Sequence, residues 1–511
     1  MTPPRTIRYV EFYAGVGGWT MAIEKALQRL DNHRDTEGQD DCNDTNCHED
    51  SWKLHCCAAL DHSDVCSQVY QYNHTVDQPG DDVVTPSRMP AQKRHSKKKR
   101  RMQRIHKHTV PSVRKPRTPA KANQTTRIED LTMEQVCDWK AHIWMMSPPC
   151  QPHTRQHTPQ SQREVNDDER QESTNTSDTS INNNASQRSD LKDPRSASFL
   201  HLCRLLQTMP RESLPKILLL ENVVGFETSQ SFQDYLLSAL RGPHNSDTRP
   251  RYRLAQFLLQ PTQVGIPNDR PRYYAIALLQ SDVSSSDITG QTLTQKLMQH
   301  YFSSSLDDLV LHDAIPELGV PRLVETDQNP VVGLESSVPR CSHCEQTKVN
   351  ASPVFTLAPL SSIIEDINDN YASLQVPGKL LQKQAAWCFD IVTPDMHRSA
   401  CFTSGYGRYI RGTGSILYTG PLPRDKEGAL QLHRPQDRTF DADWVQDIPD
   451  PRQLRYFSGA ELTRLFGFTQ NFGFPESITV KQQWKLMGNS LNVKVAATLL
   501  ELALKVTYFQ K

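Results

Sequence analysis

No apolar run in the sequence approaches the roughly 18 residues needed to span a bilayer, and its N-terminus lacks the continuous apolar core of a secretory signal. Net charge is absent too. The 58 Lys and Arg balance 58 Asp and Glu, so no global basic charge announces a nucleic-acid partner. Hydrophobic residues make up only 36% of the 511 and aromatics 7%, which points to polar insertions diluting an ordinary core. The twelve cysteines form no disulfide framework and, without a secretion signal, suit a reducing intracellular compartment. Metal-type spacings are incomplete. Cys42, Cys47 and His48 have no second pair, and Cys341-Ser-His-Cys344 stands alone, too little for a zinc site. The expectation is a soluble intracellular protein with no metal.

What is present falls into apolar segments separated by three polar stretches. Residues 31–50 are polar and acidic and read as a disordered loop. Residues 79–124 are linker-like. From Arg88 to Lys121 there are 14 Lys or Arg and no acid, with KKKRR at 97–101. Such a run suits auxiliary RNA affinity or nuclear import, and a solvated charge run equally. Without aromatics to stack on bases, it would bind phosphate non-specifically at most. Residues 156–192 are polar with no aromatic and read as a second disordered insertion.

Between these, the fold opens with a strand at Arg8 to Tyr13, a glycine turn at Ala14 to Gly18, and a helix from Trp19 to Leu30. Strand, glycine turn and helix make a cofactor loop, because glycine lets backbone approach a ligand and the first helical amides are free to donate. The spacing is not GxGxxG, so a dinucleotide is not the natural inference. A second strand, Leu54 to Leu60, ends at Asp61, an acid placed to accept ribose hydroxyls.

The stretch Ile143 to Arg155, IWMMSPPCQPHTR, organises the rest. Its short apolar run stops at Ser147-Pro148-Pro149, as a buried parallel strand would. The prolines cannot extend a ladder, so Cys150 belongs on a stiff loop past the strand's carboxyl end, where open α/β sheets place their chemistry. A cysteine nucleophile and a buried inert thiol both fit this segment taken alone. A further apolar strand, Lys216 to Leu220, runs into Glu221, a carboxylate whose burial would be costly without a partner. Paired strands follow at Arg253–Gln260 and Arg272–Leu279. Arg270 and Arg272 enter the second of them with one residue between, so they point to one face. Near the end, Ser458 and Glu461 form a capping box for a helix reaching Phe466, and an apolar helix runs from Val493 to Leu504.

EFYAGVGGW, SPPCQP, LENV, NDRPRY and GNSLNVKV, in this order, together resemble the motifs of the cytosine-C5 methyltransferases. CFT at 401–403, GYGRYIRGTGSIL and FGFPESITVKQQWKLMGNSLNVKV resemble the branch that methylates aspartate tRNA. His153 stands where the family has phenylalanine, Asn268 where its DNA enzymes have glutamine, and the three insertions exceed its usual form.

The resemblance implies an α/β, Rossmann-like class I S-adenosylmethionine-dependent methyltransferase. A catalytic domain would span residues 5–280, a smaller target-recognition region 281–398, and the C-terminal part of that recognition region with a helix returning to the catalytic domain 399–511. It implies Cys150 as nucleophile towards cytosine C6, Glu221 at N3, and Arg270 and Arg272 positioning the base, its phosphate or Glu221. For the cofactor it implies Phe12, Gly15, Val16, Gly17 and Gly18, with Asp61 at the ribose and Ile128 and Glu129 at the adenine. Ser147, Asn489 and Ser490 would lie by the methionine portion. The implied partner is the anticodon loop of aspartate tRNA at cytosine 38, with DNA a weaker one, no membrane, and a monomer of the cytoplasm, nucleus or both. A DNA cytosine-C5 methyltransferase would share every catalytic residue, and a non-catalytic RNA-binding scaffold would have no use for the loop thiol.

Overall fold

The computed structural model describes residues 6–37, 52–74, 127–149, 190–243, 250–280, 292–322, 339–341, 357–365, 373–421 and 450–508. Its centre is a seven-stranded sheet built from β1 (Thr6–Phe12), β2 (Lys53–Leu60), β3 (Ile143–Met146), β4 (Ile217–Asn222), β5 (Tyr252–Leu259), β6 (Arg272–Leu279) and β7 (Leu311–His312). The order is β2-β1-β3-β4-β6-β5-β7. The first four strands run parallel, and β6 enters antiparallel between β4 and β5. Helices cover both faces, which is why β3 and β4 are buried along their whole length, and apolar up to Glu221 and Asn222 at the end of β4, instead of alternating. Each fully buried aliphatic side chain in them stabilises the fold by about 1.5–3 kcal/mol.

The glycine turn leads into α1 (Gly18–Glu37). This helix runs seven residues beyond Leu30, so the first part of the stretch read as a polar loop at 31–50 is helical, and the remainder from 38 lies outside the described residues. Helical hydrogen bonding continues because nothing in Asp31 to Glu37 breaks it: no glycine or proline occurs there. The chain continues through α2 (Asp64–His74), α3 (Met133–Asp138), α4 (Ala197–Thr208), α5 (Leu237–Arg241) and α6 (Leu293–Tyr301). The insertion read at 156–192 ends earlier than expected. Asp190 is buried, and its carboxylate accepts the Ser231 amide at 2.8 Å and the Ser231 hydroxyl at 2.7 Å. The basic run at 97–101 lies outside the described residues.

A three-stranded sheet joins β8 (Asp390–Val392), β9 (Ser415–Tyr418) and β10 (Leu454–Arg455). It spans the expected boundary at 398/399, and β7 carries the large sheet past residue 280. The smaller sheet thus joins the two stretches expected to share the recognition region, and the large sheet takes one strand from beyond residue 280. Three helices close the chain: α7 (Gly459–Leu465), α8 (Val480–Asn489) and α9 (Val493–Tyr508). The expected Ser458–Glu461 capping box starts α7. The same Glu461 carboxylate is fully buried against Arg455, at 2.6 and 2.8 Å. The last helix lies along α1, tied by Arg29 to Glu501 at 3.5 Å, and Lys25 of α1 donates to the Gly467 carbonyl just past α7 at 2.7 Å.

Candidate active site

The carboxyl ends of β1, β2, β3 and β4 lie side by side, and the residues with chemical character sit just beyond them. At the end of β1 the chain turns through Gly15 and Gly17, whose φ values are +53° and +88°. Gly17 has no alternative. A Cβ there would meet the His74 ring at 2.1 Å, and His74 in turn donates to the Val16 carbonyl at 3.2 Å. Burial pushes the His74 imidazole down to about 4, so it is neutral at pH 7. Asp61, one residue past β2, accepts the Gly15 amide at 2.9 Å and the Ser63 amide at 2.8 Å. An ionised carboxylate has about four acceptor positions, so these two bonds leave room for ligand hydroxyls. Ile128 is buried and Glu129 half-buried in a single helical turn, Ile128–Asp130.

Beyond β3, Ser147 accepts the Trp19 indole N–H at 2.9 Å, and Asn222 at the end of β4 donates to the Pro148 carbonyl at 3.3 Å. The loop that leads to Cys150 is therefore held at both sides before the cysteine is reached. Cys150 and His153 themselves lie outside the described residues. Glu221 is the penultimate residue of β4, still within the ladder, opposite Tyr274 of β6. Its burial has the partner that the sequence argument required: Arg272 approaches its carboxylate at 3.4 Å.

The two arginines separate in role. Arg270 is buried, and its guanidinium donates to the carbonyls of Phe402 at 2.7 Å, Gly488 at 3.1 Å and Ser490 at 2.6 Å. It also stacks on Phe466 at 5.0 Å. This arginine is a cross-link between the CFT segment and the end of α8, so any positioning of base, phosphate or Glu221 by Arg270 would act through those backbone contacts. The Phe12 ring is fully buried, edge-on to Trp144 at 5.0 Å, so its side chain packs in the core, and a cofactor contact at this position would be made by its backbone. Asn268 holds the same segment from the other side, donating to Ser399 and the Ala400 carbonyl. Of the C-terminal pair, Asn489 is exposed and Ser490 half-buried beside the Arg270 anchor.

Two residues were missed as site elements. Glu11 is the penultimate residue of β1, and its carboxylate accepts the amides of Trp19 and Thr20 at 3.0 and 3.2 Å and the Thr20 hydroxyl at 2.6 Å. Burial pushes it up to about 7 despite these bonds. An acid inside an apolar strand was its signal, the same one that drew notice to Glu221. Cys401 receives hydrogen bonds from Arg270 at 3.4 Å and Arg272 at 3.8 Å. Burial opposes its ionisation, but the two guanidiniums outweigh burial and hold the thiol below its ordinary range.

Residues 120–505 match the family model for C-5 cytosine-specific DNA methylase. The chain is 32% identical over 379 residues to the human tRNA (cytosine(38)-C(5))-methyltransferase, covering 73% of this chain and 85% of that one. It is 28% identical over 388 residues to a Dictyostelium discoideum protein named DNA (cytosine-5)-methyltransferase, covering 73% and 80%. Among solved structures, the crystal structure of S. pombe Dnmt2 methyltransferase superposes with a TM-score of 0.54 at 22% identity, over 98% of each chain, and shares the fold.

Proposed function

The chain belongs to the C-5 cytosine methyltransferase family, and from that premise we propose that it is a tRNA cytosine-C5 methyltransferase acting at position 38, with aspartate tRNA as its substrate. The observation that carries the reading is the buried Glu221–Arg272 pair at the end of β4, next to the tethered loop that leads to Cys150.

Cytosine C5 is a poor nucleophile until the ring becomes electron-rich. The Cys150 thiolate adds to C6, and the electron density moves towards N3. Glu221 meets N3 with a hydrogen bond or a proton, while Arg272 keeps its carboxyl in one orientation. S-adenosylmethionine, when bound, supplies the electrophilic methyl group. The donor set at the ends of β1 and β2 fits it: Asp61 retains acceptor capacity for ribose, and Ile128 and Glu129 offer an apolar wall and an acceptor for adenine, beside the Gly17 turn that packs on His74. Val16, Gly15 and Gly18 form the adjoining turn, with Ser147 and Ser490 near the methionine portion. Loss of the C5 proton then expels the Cys150 sulfur and restores the ring.

The target base must leave its stack to reach the cysteine, which costs less in a loop than in a duplex. That supports an anticodon loop over duplex DNA, although the Dictyostelium relative's name makes DNA the second reading. The basic run at 97–101 suits auxiliary tRNA affinity and nuclear entry alongside a cytoplasmic pool. The test is methyl transfer from labelled S-adenosylmethionine to total tRNA and, separately, to duplex DNA, with Cys150→Ala as control. Label in tRNA that disappears in Cys150→Ala is the expected result. Label mainly in DNA would overturn the substrate assignment.

A further inference from the structure

A second group of reactive side chains lies at the far edge of the large sheet from the cofactor loop. His300 is on the last turn of α6, His312 ends β7, and Cys341 follows in a segment that runs alongside β7. Their donor atoms, one nitrogen from each imidazole and the sulfur, all lie within 4.8 Å of one another. Among the described residues this is the one grouping of three such donors so close together. His312 and Cys341 are buried and His300 is half-buried. We propose that His300, His312 and Cys341 form a structural zinc site that fastens α6 and the 339–341 segment to the edge of the catalytic sheet.

The backbone brings the three together independently of any metal. The Leu311 amide donates to the Pro339 carbonyl at 2.9 Å, and the Cys341 amide donates to the Leu311 carbonyl at 3.1 Å. This parallel pairing sets Cys341 beside the last residues of β7. A clamp of charge reinforces it: Asp313, buried next to His312, meets Arg340 at 3.8 Å and Arg322 at 3.0 Å. On the other side the His300 and His312 rings meet edge-on at 5.5 Å, and the Tyr301 ring of α6 is edge-on to His312 at 4.9 Å. Tyr301 is fixed by a hydrogen bond to Glu317 at 2.5 Å.

Two imidazoles and one thiol are the borderline-soft donor set that suits zinc, and a carboxylate or carbonyl cage for calcium or magnesium is absent from the trio. With zinc bonds of about 2.0–2.1 Å to nitrogen and 2.3 Å to sulfur, tetrahedral ligands stand about 3.3–3.8 Å apart. The three side chains need draw in by only about an ångström, within the reach of ring rotation. The location also gives the site a purpose. A two-residue edge strand has few ladder bonds of its own, and a cross-link to a helix and a following segment closes that edge. In the sequence Cys344 follows Cys341 at the spacing of paired zinc thiolates, outside the described residues, and the three-ligand site is argued without it.

The test is the metal content of the full chain, purified without a polyhistidine tag after dialysis against metal-free buffer and one equivalent of zinc followed by desalting. The expected result is about one zinc per chain by mass spectrometry of the element. Cys341→Ser and His300→Gln should each lower retained zinc at least tenfold, while circular dichroism and methyl transfer to tRNA report that the chain is folded. Replacing zinc by cobalt should give a thiolate-to-cobalt charge-transfer band that Cys341→Ser abolishes. His300→Gln, altering a half-buried ring, serves where Cys341→Ser fails to fold. Wild-type chain that retains no metal, or retention unchanged in both variants, would overturn the site.

Discussion

The Arg272 guanidinium lies 3.4 Å from the Glu221 carboxylate, and neither residue is near the other in sequence. The pairing arises because β6 runs antiparallel beside β4, setting Tyr274 opposite Glu221 and bringing Arg272 in from the strand's start. Arg272 also reaches Cys401 at 3.8 Å, so one guanidinium serves a carboxylate and a thiol. Arg272→Ala should lower kcat for tRNA methylation by about a hundredfold with the fold retained, because Glu221 loses its fixed orientation. Arg272→Lys should recover only part, since an ammonium cannot span both partners in one plane. Unchanged kcat in Arg272→Ala would remove the positioning role.

Arg270 should behave differently. Arg270→Met leaves three buried carbonyls without their donor, at a cost of about 3 kcal/mol or more. Urea denaturation should show that loss as a lower midpoint. A chain of normal stability with abolished activity would instead put Arg270 at the substrate.

Cys401 should alkylate with a pH midpoint below that of an ordinary thiol, because Arg272 and Arg270 together outweigh the burial that opposes ionisation. Mass spectrometry of the peptide that contains it separates this signal from Cys150. In Arg272→Ala the midpoint should move up. A midpoint that ignores Arg272→Ala would mean the guanidinium does not act on the thiol.

Glu11 makes stability fall as pH rises. Its folded-state value of about 7 stands above the ordinary 4.5, so between these values the native chain holds a proton that the unfolded chain has lost. The contribution is full below about pH 4.5 and is gone above about pH 7. It amounts to at most about 3.5 kcal/mol, from roughly 1.4 kcal/mol per pH unit. The stability difference between wild type and Glu11→Gln, followed by denaturation from pH 4.5 to 8, should narrow across that window. A constant difference would show that the amides of Trp19 and Thr20 keep Glu11 ionised throughout.

The buried Arg455–Glu461 pair supports the smaller sheet and starts α7 at once. Glu461→Ala strands a buried guanidinium and removes half of a capping box, so it should cost about 3–5 kcal/mol. A swap of both residues for apolar ones of similar volume should cost far less. If the single and double variants unfold alike, the pair is not what holds this corner.

Much of the site could be read from local pattern. A strand that stops at two prolines, a glycine turn before a helix, and an acid following an apolar strand are each decided by backbone sterics or burial cost over a few residues. Asp61 beside Gly15 follows from two adjacent parallel strands. Ser458 and Glu461 cap a helix wherever that helix lies. The reach of α1 to Glu37 was misread because low hydrophobicity in Asp31 to Glu37 resembles a loop, although nothing there interrupts helical bonding.

Other features had no local signal. Arg270 and Arg272 look alike in sequence, one residue apart, yet the first is consumed by carbonyls of the CFT segment and of α8 while the second faces Glu221. Phe12 sits in a cofactor motif, and only the packing of Trp144 shows that its ring belongs to the core. Cys341 looked like half of an unfinished pair until the fold set His300 and His312 beside it. The sequence by itself determined the strands, the turns and the order in which chemical groups appear, because those depend on neighbours along the chain. Which groups meet was decided by the tertiary structure, because strand order, antiparallel insertion of β6 and the return of α9 onto α1 bring together residues separated by tens to hundreds of positions.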